Sequence, residues 1–348
     1  MENTGPVFKV NRDARITESS MNSRNSERRK VTLTIGQLKK LVRESAVDDG
    51  DFNIKDGVLL WYNGNSGNLT IPDGVRKIGN GAFYNRKDVT SVVIPDSVES
   101  LGEFAFGGCE NLSSVKLGRG VSKIGPNAFE NCRQLVSIEL PDSVKVIGEW
   151  AFNNCHRLVS IELPDSVTVI GACAFRNCRM IESMKIPSSV RIFEWEVFSG
   201  CSSLKSVNIP DSSLEINDST FSKCGSLSSI SIPDSVGRIE EWAFYGCGSL
   251  SSVEIPDSVW NIGASAFSNC DGLKTVTIGR GIRGIDMFAF NKCGRLESVE
   301  IQGEPIIDEH AFDDCPNLRK VVVPSSRMKD RILGILPDST RIEVSGEV

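Results

Sequence analysis

The sequence CRQLVSIELPDSVKVIGEWAFNN, residues 132–154, is followed directly by CHRLVSIELPDSVTVIGACAFRN, residues 155–177. The two segments are identical at 17 of 23 positions. Repetition at a fixed period of this length is typical of solenoids, in which each unit stacks on its neighbours. We therefore expect one continuous repeat array rather than several separate domains.

A marker phenylalanine, usually preceded by alanine, extends this period along the chain. Every step between markers is 23 residues except the last, which is 22. The markers are Phe83, Phe106, Phe129, Phe152, Phe175, Phe198, Phe221, Phe244, Phe267, Phe290 and Phe312. Replacing one of them by alanine is expected to cost about 3–5 kcal/mol of stability.

Each unit contains the signals of two short strands. Residues 160–163 alternate polar and apolar side chains, which predicts a half-buried strand with Ile161 inward and Glu162 outward. Pro164 ends this strand, and Val167 and Ile170 begin a second extended stretch. The residues around Phe175 are expected to form a short helical turn. Residues that tolerate a left-handed backbone stand two positions after eight of the markers: Asn85, Gly108, Asn131, Asn154, Asn177, Gly200, Gly246 and Asn269.

The repeated pattern Leu-x-x-Ile-x-Leu-Pro-Asp-Ser-Val-x-x-Ile-Gly-x-x-Ala-Phe-x-x-Cys resembles the BspA-like (Treponema-type) leucine-rich repeat family. The resemblance covers residues 51–325, and Asp51–Val75 is similar to the first, capping repeat of that family. It implies a β-rich solenoid that is right-handed and curved, with a parallel concave sheet and short helical turns on the other side. Members of the family are typically protein-binding or surface-binding modules, and several are secreted adhesins.

The segments outside the array have different predicted structures. Residues 1–30 are polar and are expected to be disordered. Within residues 31–50, Thr34–Val47 has a capping box and helical apolar spacing. This short amphipathic helix is expected to pack on the first repeat or to dock on another protein; a membrane-surface helix is the third alternative, which its small apolar face disfavours. Residues 326–348 are expected to close the array as a short helix and a strand.

Composition narrows the class of partner and the compartment. The net charge is −6, and because residues 1–50 carry +3, the remainder carries −9, which argues against nucleic acid as a partner. No apolar run is long enough to span a membrane, and no secretory signal is visible. A cytoplasmic location is expected by default, and the cell surface is the alternative.

Ten of the eleven cysteines stand three residues after a marker phenylalanine, from Cys109 to Cys315. The same position in successive units predicts an inward ladder of free thiols, which favours a reducing compartment. Cys173 lies instead at a variable position before Ala174. It is expected to be partly exposed and to react first.

The sequence offers no catalytic constellation. The two histidines, His156 and His310, are far apart along the array. Glu139 and Glu162 form a pair of carboxylates and are expected on adjacent strands of an open sheet. Duplication of the repeat explains why both positions carry glutamate. We therefore expect a non-enzymatic protein with no metal and no cofactor.

Two sets of side chains are candidates for partner binding. The first set varies along the outward side of the concave strands and contains Lys116, Glu139, Glu162, Lys185, Asn208, Glu254 and Glu300. The second set consists of aromatic residues that share the position before the Ala-Phe pair: Phe104, Trp150, Trp242 and Phe288. These aromatic side chains serve either as interface anchors or as covers over the gaps between units.

These features predict a protein-interaction module whose partner binds the concave face of the solenoid. The alternatives are a structural or assembly component tethered through Thr34–Val47, and a surface adhesin.

Overall fold

The computed structural model describes residues 7–11, 15–19, 31–34, 47–213 and 215–345. Within these residues the chain forms a parallel β-solenoid of about 12 coils with almost no helix, which confirms the predicted fold class. We name each coil by its marker phenylalanine.

The N-terminal strands are antiparallel. Strands β1 (Val7–Asn11), β2 (Arg15–Ser19) and β3 (Val31–Thr34) form one three-stranded sheet in that order. Two of them fall within residues 1–30, for which disorder was predicted. The predicted helix Thr34–Val47 lies outside the described residues except at its two ends, where Thr34 belongs to β3 and Val47 to β4.

Strands β4 (Val47–Asp49), β5 (Phe52–Lys55) and β6 (Val58–Tyr62) begin the solenoid as an antiparallel cap. The strands of the array then follow in chain order as β7 (Asn68–Thr70), β8 (Lys77–Ile78), β9 (Ser91–Val93), β10 (Ser100–Leu101), β11 (Ser114–Lys116), β12 (Lys123–Ile124), β13 (Ser137–Glu139), β14 (Val146–Ile147), β15 (Ser160–Glu162), β16 (Val169–Ile170), β17 (Ser183–Met184), β18 (Ile192–Phe193), β19 (Ser206–Val207), β20 (Glu215–Ile216), β21 (Arg238–Ile239), β22 (Ser252–Ile255), β23 (Asn261–Ile262), β24 (Thr275–Ile278), β25 (Gly284–Ile285), β26 (Ser298–Ile301), β27 (Ile306–Ile307) and β28 (Lys320–Val323).

Each regular coil contributes one strand to each of two sides. The first side, called the first sheet, contains β7-β9-β11-β13-β15, then the pair β17-β19, then β22-β24-β26-β28 and the last strand, β29 (Arg341–Val344). The second side, called the second sheet, runs from β4 through β6, β8, β10, β12, β14 and β16 to β18, and resumes with β20-β21-β23-β25-β27. Both sheets are therefore interrupted in the middle of the array. The C-terminal segment adds helix α1 (Ser326–Ile332), capped by the Ser325 hydroxyl, and strand β29 (Arg341–Val344).

The third side of each coil is a turn ladder, which we define as the five residues centred on the marker phenylalanine. Backbone N–H groups alternate in direction there. In the Phe129 coil, the N–H groups of Asn127, Phe129 and Asn131 donate to carbonyls of the next coil at 2.8 Å, while Ala128 and Glu130 donate within their own turn. The predicted short helical turns are thus hydrogen-bonded turns that also form a ladder between coils.

Left-handed backbone makes this ladder possible. All eight predicted positions have φ between 58° and 75°, and Lys223, Lys292 and Asp314 complete the column. A second left-handed column, two residues before the marker, escaped sequence analysis because its residues vary in type.

The interior is a continuous core organised by two ladders. All eleven marker phenylalanines are fully buried, and consecutive rings stack with centroids 4.8–5.9 Å apart and planes within 16°. Tyr62 of the N-terminal cap meets the first ring, Phe83, at 5.6 Å. All eleven cysteines are free and buried, which confirms the predicted thiol ladder.

Candidate interaction surfaces

The first sheet presents the predicted variable residues to solvent. Lys116 lies opposite Glu139, and Glu139 opposite Glu162, in neighbouring parallel strands. All three side chains are exposed, because each flanks an inward residue such as Ile138 or Ile161. The structure therefore brings these three predicted residues into one exposed column.

The remaining four residues of that set do not continue the column as one sheet. Lys185 and Asn208 follow the isolated strands β17 and β19, and Glu254 and Glu300 belong to the later part of the first sheet. All four are exposed. Asn208 has a structural task, since its side-chain amide accepts from the Ile186 N–H at 2.8 Å and donates to the Ile186 carbonyl at 2.9 Å.

A basic edge beside the column was missed by sequence analysis. Arg133, His156 and Arg179 occupy the position after the ladder cysteine in three successive coils. Burial lowers the pKa of His156, and the positive charges of Arg179 and Arg133 lower it further. Between this edge and Glu139–Glu162, Val136 and Val159 are exposed on adjacent coils. The sequence feature that could have predicted this surface is the variable residue after each ladder cysteine.

The predicted aromatic anchors lie on a different side of the coil. Phe104, Trp150, Trp242 and Phe288 belong to the turn ladder, at the second left-handed column, with φ between 52° and 60°. Trp242 is exposed, and the other three are half-buried. The structure therefore does not combine them with the first-sheet residues in one site.

Cys173 is buried, contrary to the prediction that it would be partly exposed and most reactive. It lies between two coils that carry tryptophan, and the rings of Trp150 and Trp195 meet at 6.3 Å over its coil. Arg176 stacks on Trp150 at 5.5 Å and pairs with Glu196 at 3.0 Å. Burial raises the pKa of Cys173 to about 12. Side chains from the coils before and after therefore cover this thiol.

A profile described as the BspA type leucine rich repeat region, with six copies, matches residues 59–141, 122–249 and 214–330. The chain belongs to this family. The family and its fold are typically non-enzymatic, and leucine-rich repeat proteins generally bind protein partners or act at surfaces. No curated protein matches the chain significantly.

Several solved structures are similar to this chain. A leucine rich cell surface protein from Faecalibacterium prausnitzii is 29% identical, with a TM-score of 0.52, over 87% of this chain and 95% of that one. A leucine rich repeat protein from T. pallidum is 30% identical, with a TM-score of 0.48, over 53% of this chain and 91% of that one. Within the part of the chain that the structure describes, no helix is long and apolar enough to cross a membrane.

Proposed function

We propose that this protein is a non-enzymatic interaction module that binds a protein partner on its first sheet. The observation that carries this proposal is the exposed in-register column of Lys116, Glu139 and Glu162. A fixed backbone that displays variable charged side chains in register supports selective recognition. The family implies that this face is the concave one.

The charge distribution supports a protein as the partner. Across the coils of Phe152 and Phe175, the surface passes from the basic edge, over exposed valines and small serines, to the glutamate column. A face with both signs of charge and an apolar centre matches the mixed composition of protein interfaces. A polyanion would meet the carboxylates of Glu139 and Glu162.

The absence of enzymatic activity is part of the proposal. Glu139 and Glu162 are the paired carboxylates of this face, and both are exposed on an open sheet. Water screens such groups, whereas acid–base catalysis by carboxylates relies on an environment that separates their pKa values.

The test is affinity purification with the full chain from the native host, compared with the double variant Glu139→Arg, Glu162→Arg. The variant is expected to lose the specific partner because the sign of the column is inverted. A matched control, Glu99→Arg with Glu215→Arg, places the same charges on the second-sheet side and is expected to retain it. Equal recovery by all three proteins would exclude the first sheet as the binding face.

A surface protein is the second candidate, and the similarity to a cell surface protein favours it. The eleven free thiols favour a reducing compartment such as the cytoplasm instead. Antibody labelling of intact and permeabilised cells decides between these locations. Deletion of residues 1–50 tests the tethering alternative, since a partner that still binds the deleted chain does not use the N-terminal segment.

A further inference from the structure

An aromatic side chain recurs at every second coil on the outer surface, at or next to the second left-handed column. The intervals between successive members are 46, 45, 47 and 46 residues, and the members are Phe104, Trp150, Trp195, Trp242 and Phe288. The coils between them carry Asn127, Cys173, Ser219 and Ser265 in the corresponding position. We call the five aromatic residues the aromatic row.

The row follows the solenoid axis with a regular repeat. Because adjacent parallel strands are about 4.8 Å apart, attachment points two coils apart are separated by about 10 Å, and the whole row spans about 40 Å. Trp195 and Trp242 are 44% and 46% exposed. The rings of Trp150 and Trp195 approach to 6.3 Å with an interplanar angle of 82°, so this pair meets edge to face.

Carboxylates accompany the rings. Glu103, Glu149, Glu194 and Glu241 directly precede the first four aromatic residues. Glu149 and Glu241 are exposed, whereas the Glu194 carboxylate accepts from the Ala172 N–H at 2.8 Å. At Trp150 and Trp242 the row therefore places an apolar ring next to an exposed carboxylate, whose charge disfavours anionic ligands.

The backbone conformation of the row is costly for its residues. Phe104, Trp150, Trp242 and Phe288 have φ of 52–60°, a region that bulky side chains rarely adopt. Asn127 and Ser265 fill the same position elsewhere with small side chains. The turn of the coil imposes this conformation on any residue type, so an aromatic residue there calls for a reason beyond the fold. The need to cover Cys173 explains why aromatic side chains stand at Trp150 and Trp195. It does not explain the exposed ring of Trp242.

From these observations we propose that the aromatic row binds an extended, neutral β-1,4-linked glycan along the solenoid axis. The C–H faces of pyranose rings stack on aromatic rings, and the adjacent carboxylates accept hydrogen bonds from sugar hydroxyls. One disaccharide of such a glycan is close in length to two coils, about 10 Å. A protein interface would instead require a contiguous apolar centre, and here small or polar residues separate most of the rings.

The test is a titration of the full chain with cellohexaose and, separately, with chitohexaose, followed by tryptophan fluorescence and calorimetry. Saturable binding of at least one of them is expected, together with an affinity at least about tenfold weaker for the matching disaccharide, because a short ligand reaches fewer rings. Maltohexaose has the same length but an α-linked, curved chain, and it is expected not to bind.

Trp242→Asn is the informative variant, because asparagine occupies the same left-handed position at Asn127. It is expected to keep the melting temperature and to lower the affinity about tenfold, as removal of a buried or stacked tryptophan anchor does. The first-sheet variant Glu139→Arg, Glu162→Arg is expected to bind the glycan like the unmodified chain.

Failure of both hexasaccharides to bind, equal binding of maltohexaose, or unchanged affinity in Trp242→Asn would overturn the proposal. Loss of a protein partner in Trp242→Asn without glycan binding would assign the row to that partner instead. None of these outcomes depends on the first-sheet experiment, so the two proposals fail separately.

Discussion

The Sγ atom of Cys155 lies 3.2 Å from the carbonyl oxygen of Phe129, one coil earlier in the stack. The same relationship joins each of the ten ladder cysteines to the marker phenylalanine of the preceding coil, at 3.1–3.3 Å. The phenylalanine carbonyl also accepts a backbone N–H within its own coil, such as Cys132 to Phe129. The thiol therefore fills core volume and also links neighbouring coils.

Replacing Cys155 tests this second role. Cys155→Ala removes both the sulfur and the donor, so the free energy of unfolding is expected to fall by about 1–2 kcal/mol. Cys155→Ser keeps a donor at the same position and is expected to cost less. Urea unfolding curves of the three proteins provide the comparison, and equal losses would show that the thiol contributes only volume.

Alkaline pH is expected to destabilise the solenoid. Burial raises the pKa of Cys201 and Cys270 to about 12, so both thiols stay protonated in the folded chain. A thiol in the unfolded chain ionises near pH 8.5. Between the pKa of the unfolded state and that of the folded state, each such thiol lowers the free energy of unfolding by about 1.4 kcal/mol per pH unit. The contribution of these two thiols is therefore constant below about pH 8, and the free energy of unfolding falls above that pH. Urea midpoints measured from pH 7 to 10.5 check this, and Cys201→Ala is expected to show a shallower decline.

Cys173 is expected to be unreactive in the folded chain, as are the ladder thiols. A chromogenic disulfide reagent at pH 8 should detect no thiol before unfolding and eleven after it. Trp195→Ala removes one of the two rings that meet over the coil of Cys173, so this variant is expected to expose one reactive thiol. Labelling in the unmodified chain, identified by mass spectrometry at Cys173, would contradict the covering role of the rings.

Gly108 is expected to tolerate alanine poorly, in contrast to Gly225. Gly108 has φ 73°, and a Cβ added there would overlap the Asn85 side-chain amide in the preceding coil. Gly108→Ala is therefore expected to destabilise the chain by about 1–2 kcal/mol. A Cβ at Gly225 meets nothing within 4 Å, so Gly225→Ala is the matched control and should be neutral or slightly stabilising. Thermal melts of both variants make the comparison.

The coil of Phe221 is expected to be the weakest of the stack. Ser213 is buried where other coils carry Val167, Val190 or Val236, and both sheets are interrupted near this coil. Ser213→Val restores the apolar side chain and is expected to stabilise the chain by about 1 kcal/mol. Hydrogen exchange should show faster amide exchange around residues 209–224 than in the coil of Phe152. A lower stability of Ser213→Val would show that the serine is required there.

Much of the fold follows from local pattern. The period locates every marker phenylalanine, and the Ser-x-Glu alternation around Ile161 predicts which residues face outward. Asn and Gly after the marker predict left-handed backbone, because few other residues adopt it without cost. The second left-handed column has no such signature, since Trp150, Cys173 and Glu196 share its conformation without sharing its usual residue types.

The sequence by itself determined the coil, because each 23-residue unit repeats the same apolar, turn and cysteine positions and can bury them only against a copy of itself. Only the tertiary structure decided how side chains 22–26 residues apart meet. It placed Trp150 and Trp195 over Cys173, aimed the Cys155 thiol at Phe129, and separated the aromatic row from the glutamate column. These outcomes depend on the sizes and directions of side chains in neighbouring coils, which the pattern within one unit does not contain.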